Sequence, residues 1–281
     1  MQLTEADQHR RAVAFRDLHA GDGAFVVPNP WDAGSARLLT QLGFAALATT
    51  SAGLAFSLGR PDGVNRIGRD EVLDNVRAIV GATHLPVSAD LESGYAADPD
   101  GVAVTIRLGA DAGLVGGSIE DASGDPADPI IPMGVAVERV EAAVATARAL
   151  PFPFMLTARA ENFLHGRVDL DDTIARLRAY ERAGADVLYA PALPDIEAVR
   201  AVCAAVDRPV NVVAGIGPAL SVERLAGAGV RRISLGSALA RAALGGLLRA
   251  ATEVRDRGTF TFTADAVPYA EVNALLSREA T

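Results

Sequence analysis

The sequence predicts an α/β fold in which eight parallel strands close into a (β/α)8 TIM barrel, and three observations carry that expectation. Four segments repeat one pattern of helix, glycine and apolar run: 42–50 (LGFAALATT), 108–120 (LGADAGLVGGSIE), 183–193 (AGADVLYAPAL) and 228–238 (AGVRRISLGSA). Four further apolar runs lie between them, at 24–29, 85–90, 153–159 and 208–215. Strongly helical stretches, such as 70–82, 134–150 and 170–185, separate the strands. Glycine just past a helix takes the left-handed conformation that ends it. A run apolar on both faces is what a parallel strand between helix layers requires. A doubly wound open sheet is the alternative, but the chain has no Gly-rich nucleotide fingerprint, and eight strands favour closure.

The whole chain, 1–281, reads as one barrel domain, with 237–281 as a C-terminal helical extension. Half of the residues are hydrophobic, ample for a large core. No apolar run is long enough to span a bilayer, and residues 1–20 alternate charged and apolar residues without a signal-peptide core. The single cysteine, Cys203, excludes an internal disulfide and fits a reducing cytoplasm. A net charge of −9 argues against nucleic acid or an anionic membrane as partner. An acidic protein that handles an anionic small molecule must concentrate positive charge locally, through arginine or a bound cation.

In a barrel the active site stands where the strands end. The expected exits are Asn29, Trp31 and Asp32; Thr49, Thr50 and Ser51; Asp90 and Glu92; Glu120 and Asp121; Arg159 and Glu161; Tyr189; Asn211; and Ser234. Asp90 and Glu92 share one side of an extended segment, since side chains alternate with period two, and Glu120 leaves the neighbouring strand. Hard carboxylates in that arrangement suit Mg²⁺, whereas four scattered histidines and one cysteine do not suit zinc. The plainer alternative is that Glu92 and Glu120 face water or pair with arginines. Arg159 has the planar fork for a carboxylate or phosphonate, or pairs with Glu161 or Glu120 instead. Asn211, polar within an apolar strand, is either a substrate contact or a buried structural amide. Thr50, Ser51 and the following backbone amides could bind an anionic group. Cys203 reads as a packing residue, His165 as a surface loop residue, and GGSIED as a glycine-rich turn without the phosphate-loop pattern.

The ordered series TTSAGLAFSLGRPDG, SADLESGY, GGSIEDA, TARAENF and PVNVVAG resembles the isocitrate lyase/phosphoenolpyruvate mutase superfamily, from PNPWDAGSA (28–36) through the last strand. The resemblance implies a Mg²⁺-dependent barrel, with Mn²⁺ as a substitute, that makes or breaks C–C or P–C bonds of 2-oxo and 2-hydroxy acids through an enolpyruvate-like intermediate. It implies Asp90 as the principal metal carboxylate, with Glu92, where many members have Asp, and Glu120 joining partly through waters. Asp62, in GRPDG, matches the acidic residue that closes over the metal. Thr50, Ser51 and the amide of Ala52 fall where the family binds the substrate carboxylate, and Arg159 and Asn211 contact the other end. Family members exchange a C-terminal helix between subunits, so a homodimer or homotetramer is expected.

The departures concern specificity. The isocitrate and methylisocitrate lyases carry a Lys-Arg-Cys-Gly-His motif after the glutamate that Glu120 matches; here the region reads DASGDPADPIIPMG. The lysine and asparagine of the phosphonate enzymes are absent too. Gly124 and Gly134 could be hinges for 122–133, a span stiffened by Pro126, Pro129 and Pro132. The expected activity is a Mg²⁺-dependent carbon–carbon lyase of a small carboxylate, oxaloacetate decarboxylase-like or methylisocitrate lyase-like, with Asp62, Glu120 or a metal-bound water as base and Tyr189 as a weaker acid. The alternatives are a P–C bond mutase or hydrolase, and a barrel that binds a small acid without turning it over.

Overall fold

The computed structural model describes residues 3–63, 67–216 and 220–277; the final residues of the expected extension lie outside them. Its eight strands are β1 Phe25–Val27, β2 Leu47–Ala48, β3 Val87–Asp90, β4 Gly116–Glu120, β5 Met155–Arg159, β6 Val187–Tyr189, β7 Val210–Val213 and β8 Arg232–Ser234. All pair in parallel, in the order β1-β8-β7-β6-β5-β4-β3-β2. The remaining seam is bridged where the Ala48 N–H donates to the Pro28 carbonyl (3.1 Å) and the Asn29 amide donates to the Thr49 carbonyl (2.9 Å). The chain therefore forms a (β/α)8 barrel.

The surrounding helices are α1 Glu5–Ala20, α2 Ala33–Gln41, α3 Ser51–Ser57, α4 Arg69–Gly81, α5 Pro99–Asp111, α6 Met133–Arg148, α7 Leu170–Arg182, α8 Ile196–Ala205 and α9 Val222–Ala226. Their apolar faces and the outward strand residues form the main core, from Leu47 and Val76 round to Ile233. A second apolar cluster closes the bottom of the barrel, where Ala12 and Phe15 of α1 meet Val27, Val115, Met155 and Val187. Gly116 is required there: a Cβ would stand 2.9 Å from the Phe15 ring and from the Met155 carbonyl. The N-terminal helix is thus a plug, and the opposite end stays open.

Beyond the barrel, α10 (Ala238–Arg257) ends at Gly258, in the left-handed conformation, and α11 (Tyr269–Ser277) returns to α2, where Arg37 donates to the Leu276 carbonyl (2.5 Å). Of α10 only Ala240 is buried, while Leu247 and Leu248 are 63% and 65% exposed. No helix among the described residues is long and apolar enough to cross a membrane.

One local expectation is corrected. GGSIE is strand β4, not a turn, because its glycines admit Phe15 and Leu91 against the backbone. Gly134 lies in the first turn of α6. Residues 121–131 fold on themselves, through Ser123 N–H to the Pro129 carbonyl (2.8 Å) and Ile131 N–H to the Asp121 carbonyl (2.9 Å).

Candidate active site

Side chains alternate along each strand, so every second residue enters the lumen. Near the plug these are Phe25 and Met155; higher up come Ser88, Ser118, Thr157, Asn211 and Arg232; at the open rim stand Asp90, Glu120, Arg159 and Tyr189. Barrel interiors are usually filled by Val, Ile and Leu. Here small polar residues occupy the middle, and a cavity of about 210 Å³ runs from the rim down to Arg232. Thr50, Ser51, Ala52, Asp62, Asp90, Arg159 and Asn211 all line it, so the structure brings together most of the predicted site. Glu120 and Glu92 do not line it: Glu120 lies beside Arg159, and Glu92 faces a separate open groove with Arg69 and Arg139.

Arg159 is the hub of the rim. Its Nη1 donates to Asp90 Oδ1 (2.8 Å) and lies 3.0 Å from Glu120 Oε2, while its Nε donates to Glu161 Oε1 (3.0 Å). Its guanidinium also lies 4.9 Å from the centre of the Tyr189 ring. Three carboxylates thus surround one cation. Burial raises Glu120 well above the usual carboxylate range, and Arg159 opposes this only in part against Glu161, Asp90 and Glu92. Burial likewise raises Glu161. For Arg159 itself burial works downward, but Glu120, Glu161 and Asp90 overcome it and the guanidinium stays charged.

Asp90 ends β3, and its second oxygen accepts from the Ser51 hydroxyl (2.8 Å). Ser51 is placed by Thr50, whose hydroxyl caps α3 by accepting the Gly53 N–H (3.2 Å). That hydroxyl therefore has a structural partner, while the Ala52 amide, in the first turn, has no intrahelical acceptor. Asp62 is exposed, yet crowding within the mouth and the charge of Asp90 raise its carboxyl.

Strand alternation does not place Glu92. The strand stops at Asp90, and Glu92 (φ 47°), Gly94 (φ 86°) and Tyr95 (φ 53°) all take left-handed backbone in one tight turn. Two such non-glycine residues together mark stored strain, a feature concentrated at functional sites. Burial, then Asp90 and Asp62, push the Glu92 carboxyl up to about 7.

Sequence reasoning named Asp121, Glu161 and Asn211 at strand ends but missed the buried partners that hold them, Tyr180, Arg176 and Arg232. Asp121 accepts from the Tyr180 hydroxyl (2.5 Å), Arg176 (3.0 Å) and the Glu161 N–H (2.8 Å), which fixes the ends of β4 and β5. Asn211 accepts from Arg232 Nε (2.8 Å) and donates to the Ser234 hydroxyl (3.1 Å), so both its structural role and its place on the cavity wall are realised. The signal for Arg232 was its period-two phase with Ser234 in RRIS. Cys203 packs against Gly229, and burial pushes its thiol up to about 11, as suits a packing residue.

Whether this rim suits a divalent cation can be judged from its donors. Among the described residues no three acidic, His or Cys side chains form a ready cage, so Asp90, Glu92 and Glu120 do not converge as three direct ligands. The rim nevertheless carries excess negative charge in hard oxygens, with Glu120, Glu161, Glu92 and Asp62 all raised in the cation's absence. Such a site fits an ion that keeps several waters and takes one or two carboxylates, as Mg²⁺ does.

The family model described as phosphoenolpyruvate phosphomutase matches residues 15–255. The chain belongs to this family, within the isocitrate lyase/phosphoenolpyruvate mutase superfamily. A crystal structure from Burkholderia cenocepacia J2315 is 60% identical and superposes with a TM-score of 0.95, covering 98% of both chains. The 2-methylisocitrate lyase of Escherichia coli K12 is 30% identical over 211 residues, 72% of this chain and 69% of its own length. Oxaloacetate decarboxylase 2 of Pseudomonas fluorescens Pf0-1 is 30% identical over 240 residues, 84% and 81% of the two chains. As a member of the phosphoenolpyruvate phosphomutase family, the chain is an enzyme of the superfamily's lyase/mutase class.

Proposed function

We propose that the protein is a divalent-cation-dependent carbon–carbon lyase acting on a small 2-oxo or 2-hydroxy carboxylate, with oxaloacetate decarboxylation as the reaction to try first. The observation that carries this is Asp90: one carboxylate at a strand end, gripped by Ser51 and Arg159 and facing a small cavity within an over-acidic rim. Asp90 would hold the ion directly, with Glu120, Glu92 and Asp62 acting through waters. When bound, Mg²⁺ would act as a Lewis acid on the 2-oxo group and favour the negative charge left on it when the bond to C3 breaks.

The chain's own residues supply the rest. Arg159 and Ser51 fix the rotamer of Asp90, and the Ala52 amide offers a donor to the substrate carboxylate. Tyr189, its hydroxyl raised by burial, stays protonated at the wall and can donate. Asp62, raised and exposed at the mouth, is placed to exchange a proton between substrate and water. Loss of CO2 needs no base, whereas retro-aldol cleavage of a hydroxy acid would use Asp62. The pairwise identities to a decarboxylase and a lyase support this chemistry without choosing the substrate.

The test is oxaloacetate consumption with Mg²⁺, with EDTA, and with Asp90→Ala. Turnover lost with EDTA and in the variant supports the reading; a rate in each arm no greater than that of the same solution without protein removes it. Phosphonopyruvate with phosphorus NMR tests the P–C alternative, and an unchanged spectrum eliminates it. The exposed apolar residues of α10 and α11, with Leu248 at 65% and Tyr269 at 86%, support assembly as a homodimer or homotetramer. Sedimentation as a 29 kDa monomer contradicts that assembly.

A further inference from the structure

The floor of the cavity holds a second cation of a different kind. Arg232 opens β8 and points inward with Ser234, while Ile233 between them packs outward. Its side chain is buried, and its partners are all neutral. Asn211 Oδ1 accepts from Nε (2.8 Å), Thr157 Oγ1 accepts from Nη2 (2.9 Å), and His19 Nε2 lies 3.5 Å from Nη1. His19 Nδ1 lies 2.7 Å from the Phe15 carbonyl and so carries the proton; burial and Arg232 pull the imidazole down to about 3, which keeps it uncharged. No carboxylate among the described residues forms an ion pair with Arg232; Asp90, Glu120 and Glu161 gather on Arg159 instead.

Burial lowers the Arg232 guanidinium to about 10, with Arg159 adding to the effect, so the group remains a cation at neutral pH. A buried charge without a counter-charge costs stability that a leucine or valine, usual in a barrel interior, would not. Three of the five guanidinium donors are engaged, leaving two for a ligand. The group lies on the cavity wall, below Arg159 and beyond the small side chains Ser88 and Ser118.

We infer that Arg232 is a specificity residue that binds the second anionic group of a dicarboxylic acid, whose first carboxylate lies at the rim near Ser51. This rests on the cavity being a carboxylate site, as proposed above, and names the substrate class within it. A charge-assisted contact from a desolvated guanidinium is strong, and the acid's far carboxylate would supply the missing counter-charge. A monocarboxylate of the same length gains nothing there.

The experiment is calorimetric titration in Mg²⁺ buffer with malate and 2-hydroxybutyrate, which differ in a terminal carboxylate against a methyl group. It compares the wild type with Arg232→Met and Arg232→Lys, each confirmed folded by circular dichroism. The wild type is expected to prefer malate by tenfold or more. Arg232→Met should weaken malate by roughly ten- to hundredfold, leave 2-hydroxybutyrate within about twofold, and be partly rescued by lysine. Should the methionine variant not fold, the lysine and a glutamine variant carry the same comparison. A wild type that takes both acids alike or neither, or a substitution that weakens both equally, overturns the inference. Because the readout is binding, selectivity for malate without oxaloacetate turnover would sink the proposed reaction and leave this inference standing; turnover without selectivity would do the reverse.

Discussion

Arg159 and Arg232 enter the same lumen and meet opposite electrostatics. Arg159, at the rim, is shared by Asp90, Glu120 and Glu161. Arg232, at the floor, has only an amide, a hydroxyl and a neutral imidazole. One cation is over-neutralised and the other is not neutralised at all. The difference teaches where incoming charge is wanted: a cation at the rim and an anion at the floor. Arg159 contacts carboxylates of its own chain through all three of its nitrogens and still lines the cavity.

The comparison breaks first on stability. Arg159→Met strands three carboxylates, two of them raised even with the arginine present, and should cost about 3–5 kcal/mol in urea unfolding. A loss below about 1 kcal/mol would mean the rim is wetter than its burial suggests. Next comes acid. The folded pKa of His19, about 3, lies below the unfolded value near 6.5, so the unfolded state binds the proton first. Its contribution is complete above pH 6.5 and is lost as pH falls toward 3, about 3 kcal/mol by pH 4. His19→Gln should remove that part of the acid dependence, seen as the difference between the two stability–pH curves. Identical curves would show that His19 protonates freely in the fold.

Arg232→Met should cost less than the rim substitution, about 1–2 kcal/mol, because it strands only neutral acceptors such as Asn211 Oδ1 and removes an unpaired charge. Parity with Arg159→Met would erase the distinction between the two arginines. The smallest effect is at Ser51. Removing its hydroxyl from Asp90 in Ser51→Ala should weaken Mn²⁺ binding about tenfold, measured by electron paramagnetic resonance, without altering the fold.

Most of the barrel was legible because glycine stops and apolar runs recur with the period of a βα unit. The rim was legible where strands end in polar residues, which is how Ser51, Asp90, Arg159 and Asn211 come to line one cavity. Glu92 was misplaced in its logic, since alternation stops at Asp90 and a left-handed turn takes over. Glu120 sits behind Arg159 because neighbouring strands in register bring a carboxylate and a guanidinium side by side. Arg232 stayed hidden because two arginines at a strand start look like solvated flanking charge; only the register with Asn211 and Phe25 turns one of them inward. The burial of Glu161 and Asp121 depends on contacts across strands that no local pattern displays.

The most direct test is a crystal structure with Mn²⁺ and oxalate, the metal located by anomalous scattering. The account predicts one ion about 2.1–2.2 Å from an Asp90 carboxylate oxygen, with oxalate completing its shell and no more than one further protein carboxylate in direct contact. An anomalous peak away from Asp90, or oxalate seated at the rim with no metal beside it, would contradict it.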